Sequence, residues 1–255
     1  MTGDRERDLL KAANMLMDAR RTGDKLVDLP EELRPVDVEE IYAVHGFLAR
    51  AYGDIGGWKI GAGSAEATPL FAPMPKNWMT AGGTMLSGER FMFRGLEAEI
   101  AFLVGEDLPP RETPYTREEV LAAMASCHPA IEELESAFVD PLTTTRTCQL
   151  ADLQMHGGFI YGPAFADWRD VDFSKEHVTL AVDGSVRVER TGSNTSGDLL
   201  RLLPYLANEG AARTGGLRRG QWITTGSWTG NTLGFAGSTV DVEFSTAGNV
   251  SLRFA

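Results

Sequence analysis

The segment Arg94-Gly-Leu-Glu97-Ala-Glu99-Ile-Ala-Phe-Leu-Val-Gly105 has the alternating pattern of a strand that begins with two carboxylates. Successive side chains of a strand point to opposite faces, so Glu97 and Glu99 share one face, and the face that begins at Ala98 is continuously apolar. The two carboxylates are expected about 7 Å apart along the strand. Like charges entering a half-buried face must be neutralised.

A divalent cation is the simplest neutralising group, because carboxylate oxygens are hard ligands that suit Mg²⁺, Mn²⁺ or Ca²⁺. The segment 130–135 supplies a third acid, since its alternation places Glu132 on an apolar face with Ala130 and Leu134. Three carboxylates from two strands can hold a cation and leave positions for water and a chelating substrate. The alternative is an acidic chain with ordinary surface glutamates at a solvated strand end, and the residues alone leave both interpretations open.

Composition limits the possible partners. The 255 residues predict one main domain with a small N-terminal appendage. Lys and Arg number 24 against 36 Asp and Glu, a net charge of −12, which argues against nucleic acid and anionic membranes as partners. The charged N-terminus lacks the apolar run of a signal peptide, and this predicts a cytoplasmic protein. Cys127 and Cys148 have no zinc-site spacing.

The first 55 residues read as a helical N-terminal part, ahead of a main domain over 56–255. The apolar spacing predicts one helix over about 5–21 and a second from the N-cap Asp37 to Gly53, with Glu40 completing a capping box. His45 falls on the apolar stripe of the second helix. A core histidine is the favoured interpretation there, and a general base is the alternative.

Further elements follow from turn and cap signals. Thr116 and Glu119 predict a helix that His128-Pro129 ends. Asp183-Gly184 predicts a tight turn between two hairpin strands, and residues 239–244 and 250–254 predict an antiparallel pair that closes the chain.

Two more segments are candidates for binding anions. Lys59 stands alone on one face of a glycine-flanked strand, either as a surface residue or as a buried cation aimed at an anionic ligand. The strand over 221–225 leads into a glycine-rich loop, where Thr225, Gly226 and Ser227 could hold an anionic group or form an ordinary hairpin loop. Gly61-Ala-Gly63 lacks the third glycine of a dinucleotide fingerprint.

Together these motifs resemble the fumarylacetoacetate hydrolase superfamily, and within it the branch of 2-oxopent-4-enoate hydratases and 4-oxalocrotonate decarboxylases. The resemblance covers nearly the whole chain. The matching segments, in order, are Gly57-Trp-Lys59-Ile-Gly61, Leu96-Glu97-Ala-Glu99-Ile-Ala-Phe, Asp107-Leu-Pro109, Pro129-Ala-Ile-Glu132, Ala151-Asp152 and Thr225-Gly226.

The resemblance implies an α+β fold with a mixed β-barrel or β-roll core and a small helical N-terminal part. It implies that Mg²⁺ or Mn²⁺ is held by Glu97, Glu99 and Glu132, and that the chain forms a homo-oligomer. Lys59 and Asp152 would be catalytic, and the loop of Thr225, Gly226 and Ser227 would bind the carboxylate end of a small 2-oxo acid.

The implied activity is that of a lyase, with hydration of 2-hydroxypenta-2,4-dienoate (2-oxopent-4-enoate) or a close analogue in aromatic catabolism as the first expectation. The alternatives are a 4-oxalocrotonate-type decarboxylase and a carbon–carbon bond hydrolase of a β-diketo acid, for which His45, His128 or His156 would have to activate water. A non-catalytic subunit that supports an active enzyme is a further alternative, and it predicts weak metal binding.

Two departures from the family pattern bear on this choice. The family's hydratases carry an additional acid in a longer interval, whereas the segment 61–70 offers only Glu66. This leaves room for decarboxylation or hydrolysis. The asparagine that usually follows Ala-Asp is replaced by Leu153, which weakens the case for Asp152.

Overall fold

The computed structural model describes residues 3–88, 90–165 and 167–255 as a mixed α+β fold. Its α-helices are α1 (Gly3–Thr22), α2 (Val38–Tyr52), α3 (Arg117–Ala122), α4 (Arg146–Ala151), α5 (Leu202–Asn208) and α6 (Ala211–Thr214). Its strands are β1 (Ile55–Gly61), β2 (Leu70–Pro75), β3 (Met79–Ala81), β4 (Thr84–Leu86), β5 (Gly95–Val104), β6 (Met124–Leu134), β7 (His156–Tyr161), β8 (His177–Val182), β9 (Ser185–Thr191), β10 (Trp222–Thr224), β11 (Thr232–Leu233), β12 (Thr239–Phe244) and β13 (Gly248–Phe254).

The strands form two mixed sheets. The larger sheet has the order β2-β1-β10-β5-β6-β7-β3, with β11 pairing to β5, and the smaller has the order β4-β13-β12-β8-β9. Within the described ranges no pairing closes either sheet into a barrel. The predicted α+β class is confirmed, and the β core consists of two open sheets.

The main hydrophobic core lies between the two sheets. The apolar face of β5, which runs from Ala98 through Ile100 and Phe102 to Val104, is buried in this core, as its alternation predicted. The smaller sheet contributes alternate residues of β8, β12 and β13 to the same core. Glu97 and Glu99 therefore face away from the core, on the other side of the larger sheet.

The two N-terminal helices pack on a second, smaller core. Leu9 and Leu16 of α1 and Val44 of α2 share this core with Phe138 and Leu153 from the main part of the chain. We propose that the chain divides into an N-terminal part over 1–55 and a main domain over 56–255. The described helices of the N-terminal part cover that domain, because their buried residues pack against it. None of the described helices combines the length and the apolar character that crossing a bilayer requires.

The predicted helix after Thr116 is confirmed, but its predicted end is wrong. The helix stops at Ala122, and His128-Pro129 lie inside β6, where Pro129 pairs with Ile100. The proline is tolerated because the paired ladder between β6 and β7 ends at Ala130, so no backbone donor is required at position 129.

The predicted N-cap at Asp37 is confirmed, but the Glu40 side chain does not complete the predicted capping box. The Asp37 side chain accepts from the Glu40 N–H at 2.9 Å, while the Glu40 carboxylate accepts from the Val36 N–H and from Arg5. We expect Asp37→Ala to lower the free energy of unfolding by about 1 kcal/mol, because it leaves an amide of the first helical turn without its acceptor. Urea denaturation would measure this, with the exposed substitution Asp24→Ala as control; an equal effect of both would contradict it.

Candidate metal centre

Three carboxylates meet where β5 and β6 lie side by side. Glu97 is the direct cross-strand partner of Glu132, and Glu99 faces Ala130 two residues along the same face. One oxygen from each of Glu97, Glu99 and Glu132 lies within 4.8 Å of the others. The predicted convergence of these residues is therefore present in the structure.

Backbone and hydroxyl donors orient Glu99. This side chain is buried, and its Oε2 accepts from the Gly226 N–H at 3.0 Å and from the Thr224 hydroxyl. Thr224 lies on β10, whose pairing with β5 brings it beside Ala101. The loop after β10 thus contacts the acidic cluster directly.

Lys59 reaches the same cluster from β1. Its Nζ lies 2.8 Å from Glu132 Oε1 and donates to the carbonyl oxygen of Gln154 at 3.0 Å, and its side chain is only 12% exposed. Burial alone would lower the pKa of Lys59, but the charges of Glu132, Glu97 and Glu99 raise it above the ordinary value. Lys59 is therefore a buried cation rather than a surface strand residue.

His156 contacts the same oxygen of Glu132 as Lys59 does. Its Nδ1 lies 2.8 Å from Glu132 Oε1, and its ring stacks on Trp78 at a centroid distance of 6.0 Å. Burial lowers the pKa of His156 against the opposing effect of Glu132, which favours a neutral ring. With the proton on Nδ1, that ring donates to the carboxylate. The His156 Nε2 is buried and has no hydrogen-bond partner among the described residues.

The three acids titrate differently because their neighbours differ. Burial raises the pKa of Glu97 to about 6, against the opposing effect of Lys59. Burial, with the charges of Glu132 and Glu97, raises the pKa of Glu99 well above its ordinary value. Burial would also raise the pKa of Glu132, but Lys59 and His156 outweigh it and lower that pKa.

The donor set fits a hard divalent cation. Three carboxylates converge on one site where Lys59 supplies a single positive charge, and Glu132 Oε2 is buried without a hydrogen-bond partner among the described residues. A buried carboxylate oxygen without a partner is costly unless a cation or a donor binds it. Glu97, Glu99 and Glu132 are the residues that would hold Mg²⁺ or Mn²⁺.

Stabilisation by Mg²⁺ is expected to depend on pH. Protonated Glu97 stabilises the fold below its ordinary pKa of 4.5, and this contribution is lost as the pH rises through its raised pKa of about 6. The pKa of Glu99 is also raised, so its contribution is lost at higher pH. Mg²⁺ must displace these protons, so its effect grows as they leave. We expect saturating Mg²⁺ to raise Tm by about 5 °C or more at pH 7.5 and by almost nothing at pH 5, relative to EDTA. The same increment in Tm at both pH values would contradict this.

A left-handed turn supports Lys59. Leu153, Gln154 and Met155 have φ values of 51°, 52° and 65°, a region that side-chain-bearing residues rarely occupy. The turn places the Gln154 carbonyl on Lys59, and Gln154 is part of the wall of the cleft that contains Glu97 and Glu99. Strained backbone of this kind is common at functional sites, where the surrounding structure enforces it.

Asp152 lies just before this turn and is engaged by other groups. It is buried, and its Oδ1 accepts from Arg20 Nε at 2.6 Å. Its Oδ2 accepts from the Ala137 N–H at 2.7 Å and from the Ser136 hydroxyl at 3.1 Å. The carboxylate thus joins α1 to the chain that follows β6. Its catalytic role stays a prediction.

The predicted substrate loop divides between two roles. The Thr225 hydroxyl donates to the Ile100 carbonyl at 2.7 Å, so its proton is used in a hydrogen bond to β5. Gly226 and Ser227 line the cleft, and the Ser227 hydroxyl lowers the pKa of Glu97 against the larger effect of burial. The sequence did not identify Thr224, whose hydroxyl donates to Glu99. Its neighbour Thr225 was favoured because it directly precedes the glycine-rich loop.

The cleft over the acids has a volume of about 540 Å³. Lys59, Glu97 and Glu99 lie in its wall together with Gln154, and two arginines that sequence reasoning did not single out, Arg146 and Arg190, also line it. The segment 61–70 contributes small and apolar residues to the wall.

The other candidate acids and bases lie elsewhere. Glu66 is exposed, and its carboxylate accepts from the Ser64 hydroxyl. His45 is a core residue, as favoured: its Nε2 donates to the Leu150 carbonyl at 2.8 Å, and burial lowers its pKa to about 4. His128 donates from Nδ1 to the Gly162 carbonyl. Of the three histidines proposed as bases, His156 is the one that contacts the acidic cluster.

Comparison with known proteins agrees with this geometry, although no family model matches the chain. The 2-keto-4-pentenoate hydratase 2 of Dechloromonas aromatica (strain RCB) is 24% identical over 255 residues, covering 96% of each chain. The solved 4-oxalocrotonate decarboxylase from Pseudomonas putida G7, complexed with magnesium and adipate, has a TM-score of 0.85 at 22% identity, over 100% of this chain and 99% of that one.

A more distant structure carries the family name itself. A fumarylacetoacetate hydrolase family protein from Yersinia pestis CO92 has a TM-score of 0.57 at 16% identity, over 80% of this chain and 93% of that one. The resemblance that the sequence motifs predicted is confirmed: the chain has the fold of the fumarylacetoacetate hydrolase superfamily, and by sequence it is similar to a 2-keto-4-pentenoate hydratase.

Proposed function

We propose that the chain is a divalent-metal-dependent lyase of small 2-oxo acids. The observation that carries this proposal is the convergence of Glu97, Glu99 and Glu132 with the buried Lys59 at the base of a cleft. The relatives by sequence and by fold are a hydratase and a decarboxylase, which are lyases of such acids. Hydration of 2-hydroxypenta-2,4-dienoate or a close analogue is the first candidate reaction.

A bound cation would supply positive charge that stabilises the enolate, whose negative charge develops on the 2-oxo oxygen of the substrate during either reaction. Lys59 adds a positioned donor. An ammonium group has three N–H donors, of which Glu132 and Gln154 use two, so one remains for the substrate. Lys59 would use it to hold or deliver a proton at the 2-oxo oxygen.

Neighbouring groups keep this donor in place. The Gln154 carbonyl and Glu132 Oε1 fix the Lys59 Nζ from two directions, and His156 fixes Glu132 in turn. Preorganised donors of this kind need no rearrangement as charge develops at the substrate. The Gly226 amide and Thr224 hydroxyl orient Glu99 in the same way.

Decarboxylation of a 4-oxalocrotonate-type acid is the second candidate reaction. Glu66, the one acid in the interval where the family's hydratases carry an additional acid, is exposed and bonded to Ser64, and it does not line the cleft. Decarboxylation ends at a protonated enolate and does not need water to be added. The carbon–carbon hydrolase remains the third candidate, with His156 as the histidine nearest the acids.

The deciding experiment is a mass-resolved incubation with freshly generated 2-hydroxypenta-2,4-dienoate and with 2-oxohex-3-enedioate, each with Mg²⁺ and with EDTA. A Mg²⁺-dependent gain of water indicates the hydratase, and loss of CO₂ the decarboxylase. Cleavage of a β-diketo acid while both substrates survive indicates the hydrolase. No reaction and no metal binding would exclude a metal-dependent enzyme and favour the non-catalytic subunit.

The same proposal includes a homo-oligomeric assembly and a cytoplasmic location, which the family resemblance supports. Exposed large apolar side chains are consistent with assembly: Val139 is 66% exposed, and Leu142, which lines a cavity together with Lys59 and Glu97, is 69% exposed. Light scattering of the purified chain would test the assembly, since a single-chain mass of 27.7 kDa would contradict it.

A further inference from the structure

Hydrogen bonds limit how Glu99 can bind a cation. An oxygen of an ionised carboxylate has about two lone-pair sites for donors or for a metal. The Gly226 N–H and the Thr224 hydroxyl both donate to Glu99 Oε2, so they use both sites of that oxygen. This leaves Oε1 as the oxygen with which Glu99 can bind a cation.

Glu132 is limited in the same way. Its Oε1 lies 2.8 Å from Lys59 Nζ and 2.8 Å from His156 Nδ1. With the ring proton on Nδ1, these two donors use both lone-pair sites of that oxygen. Oε2 is buried and has no hydrogen-bond partner among the described residues, so it is the oxygen that Glu132 has left for a cation.

The sheet holds these donors in place. Thr224 lies on β10, which pairs with the strand of Glu99, and His156 lies on β7, which pairs with the strand of Glu132. All four side chains are buried. Turning either carboxylate so that both of its oxygens bind a cation would leave buried donors without an acceptor, which is costly. Each carboxylate is therefore held to ligation through one oxygen.

This restriction bears on which cation the site prefers. Glu99 and Glu132 supply one oxygen each and Glu97 at most two, so the three glutamates supply no more than four. Mg²⁺ requires a nearly regular octahedron of ligands at short distances, whereas Ca²⁺ takes roughly six to eight oxygens and often binds both oxygens of a carboxylate. The two oxygens of a chelating 2-oxo acid would complete an octahedron.

We propose that Thr224 and His156 are specificity-determining residues that raise the selectivity of the site for Mg²⁺ over Ca²⁺, because they hold Glu99 and Glu132 to one-oxygen ligation. This inference rests on the proposed function, since the same glutamates must hold the cation. Neither Thr224 nor His156 is a ligand. Both act through a carboxylate and are positioning residues.

Thr224→Val tests the first of these residues, because valine keeps the shape of threonine and lacks the hydroxyl. Competition with Mn²⁺, followed by electron paramagnetic resonance at pH 7.5 after removal of metal with EDTA, gives the affinities for Mg²⁺ and Ca²⁺. The ratio of Mg²⁺ to Ca²⁺ affinity should fall by at least about tenfold in T224V. T224S should keep the wild-type ratio, since serine retains the hydroxyl. Thr225→Val is the matched control, because the Thr225 hydroxyl donates to the Ile100 carbonyl.

His156→Leu and His156→Asn form a matched pair for the second residue. Leucine and asparagine have nearly the same shape, and both lack the ring that stacks on Trp78. Asparagine keeps an N–H donor close to the position of Nδ1, whereas leucine has none. The ratio of Mg²⁺ to Ca²⁺ affinity should therefore fall by about tenfold in H156L and be retained in H156N.

The ratio separates selection of the cation from a general loss of binding. A change in the protonation of Glu99 would weaken both cations alike and leave the ratio unchanged. Equal weakening of Mg²⁺ and Ca²⁺ in T224V and H156L would overturn the inference, and so would a reduced ratio in T225V. Both of these results would leave the lyase proposal intact, because the wild type would still bind Mn²⁺. If the wild type binds no Mn²⁺, the proposed function fails as well.

Discussion

Glu132→Gln is expected to abolish Mn²⁺ binding and to lower kcat/KM by about a thousandfold or more, because an anionic ligand worth several kcal/mol of charge stabilisation is lost. Glu132 is the central acid of the cluster. It pairs with Glu97 across the strands, and its Oε1 contacts both Lys59 and His156. The amide keeps the shape of the side chain but supplies no charge. Manganese titration followed by electron paramagnetic resonance, together with steady-state kinetics, would measure both effects.

Glu133→Gln is the control for this substitution. Glu133 is the next residue of β6, is fully buried and points to the other face, and burial raises its pKa well above the ordinary value. Burial therefore favours the uncharged form of this side chain, which an amide resembles. Mn²⁺ binding should persist in E133Q. Wild-type Mn²⁺ affinity in E132Q would show that the ligand assignment is wrong, and equal losses in both variants would indicate damage to β6.

Arg20→Met is expected to lower the free energy of unfolding by about 3 kcal/mol or more, because it leaves a buried carboxylate without its counter-charge. Arg20 and Asp152 are 8% and 1% exposed. The guanidinium also donates to the carbonyl oxygens of Glu135 and His156. Its loss therefore releases the end of α1 from the segments that carry the candidate site. Urea denaturation would measure the change.

Arg21→Met is the matched control for the adjacent position. Arg21 pairs with Asp18 on the exposed side of α1, where the side chains are 72% and 66% exposed, so the expected loss is below about 1 kcal/mol. The double variant R20M/D152N should be more stable than R20M, because it removes the orphaned charge. Equal effects of R20M and R21M would contradict a buried pair.

A changed pH profile of kcat in folded D152N would support the predicted catalytic role of Asp152.

The sequence predicted what depends on local periodicity. The alternation of β5 places Glu97 and Glu99 on the face opposite the core, and the alternation of β6 adds Glu132 to that face. The turn at Asp183-Gly184 is also as predicted, with both residues at positive φ. In these segments a side chain's direction follows from its position in the strand or turn alone.

The features that could not be predicted from the sequence depend on contacts between distant segments. Arg20 and Asp152 are 132 residues apart, and no local pattern relates them. The choice between Thr224 and Thr225 as the residue that contacts Glu99 depends on the register of β10 against β5. His128-Pro129 misled the helix prediction because a proline is also accepted in a strand where the neighbouring ladder ends.

The left-handed turn at Leu153, Gln154 and Met155 has a consequence for how this chain can be altered. Each of the three residues carries a backbone cost of about 1–2 kcal/mol that a glycine would avoid. Glycine at position 154 would relax the backbone, but it would also free the carbonyl that holds Lys59 and remove a side chain from the cleft wall. Selection for heat resistance and selection for turnover would therefore favour different residues at this turn.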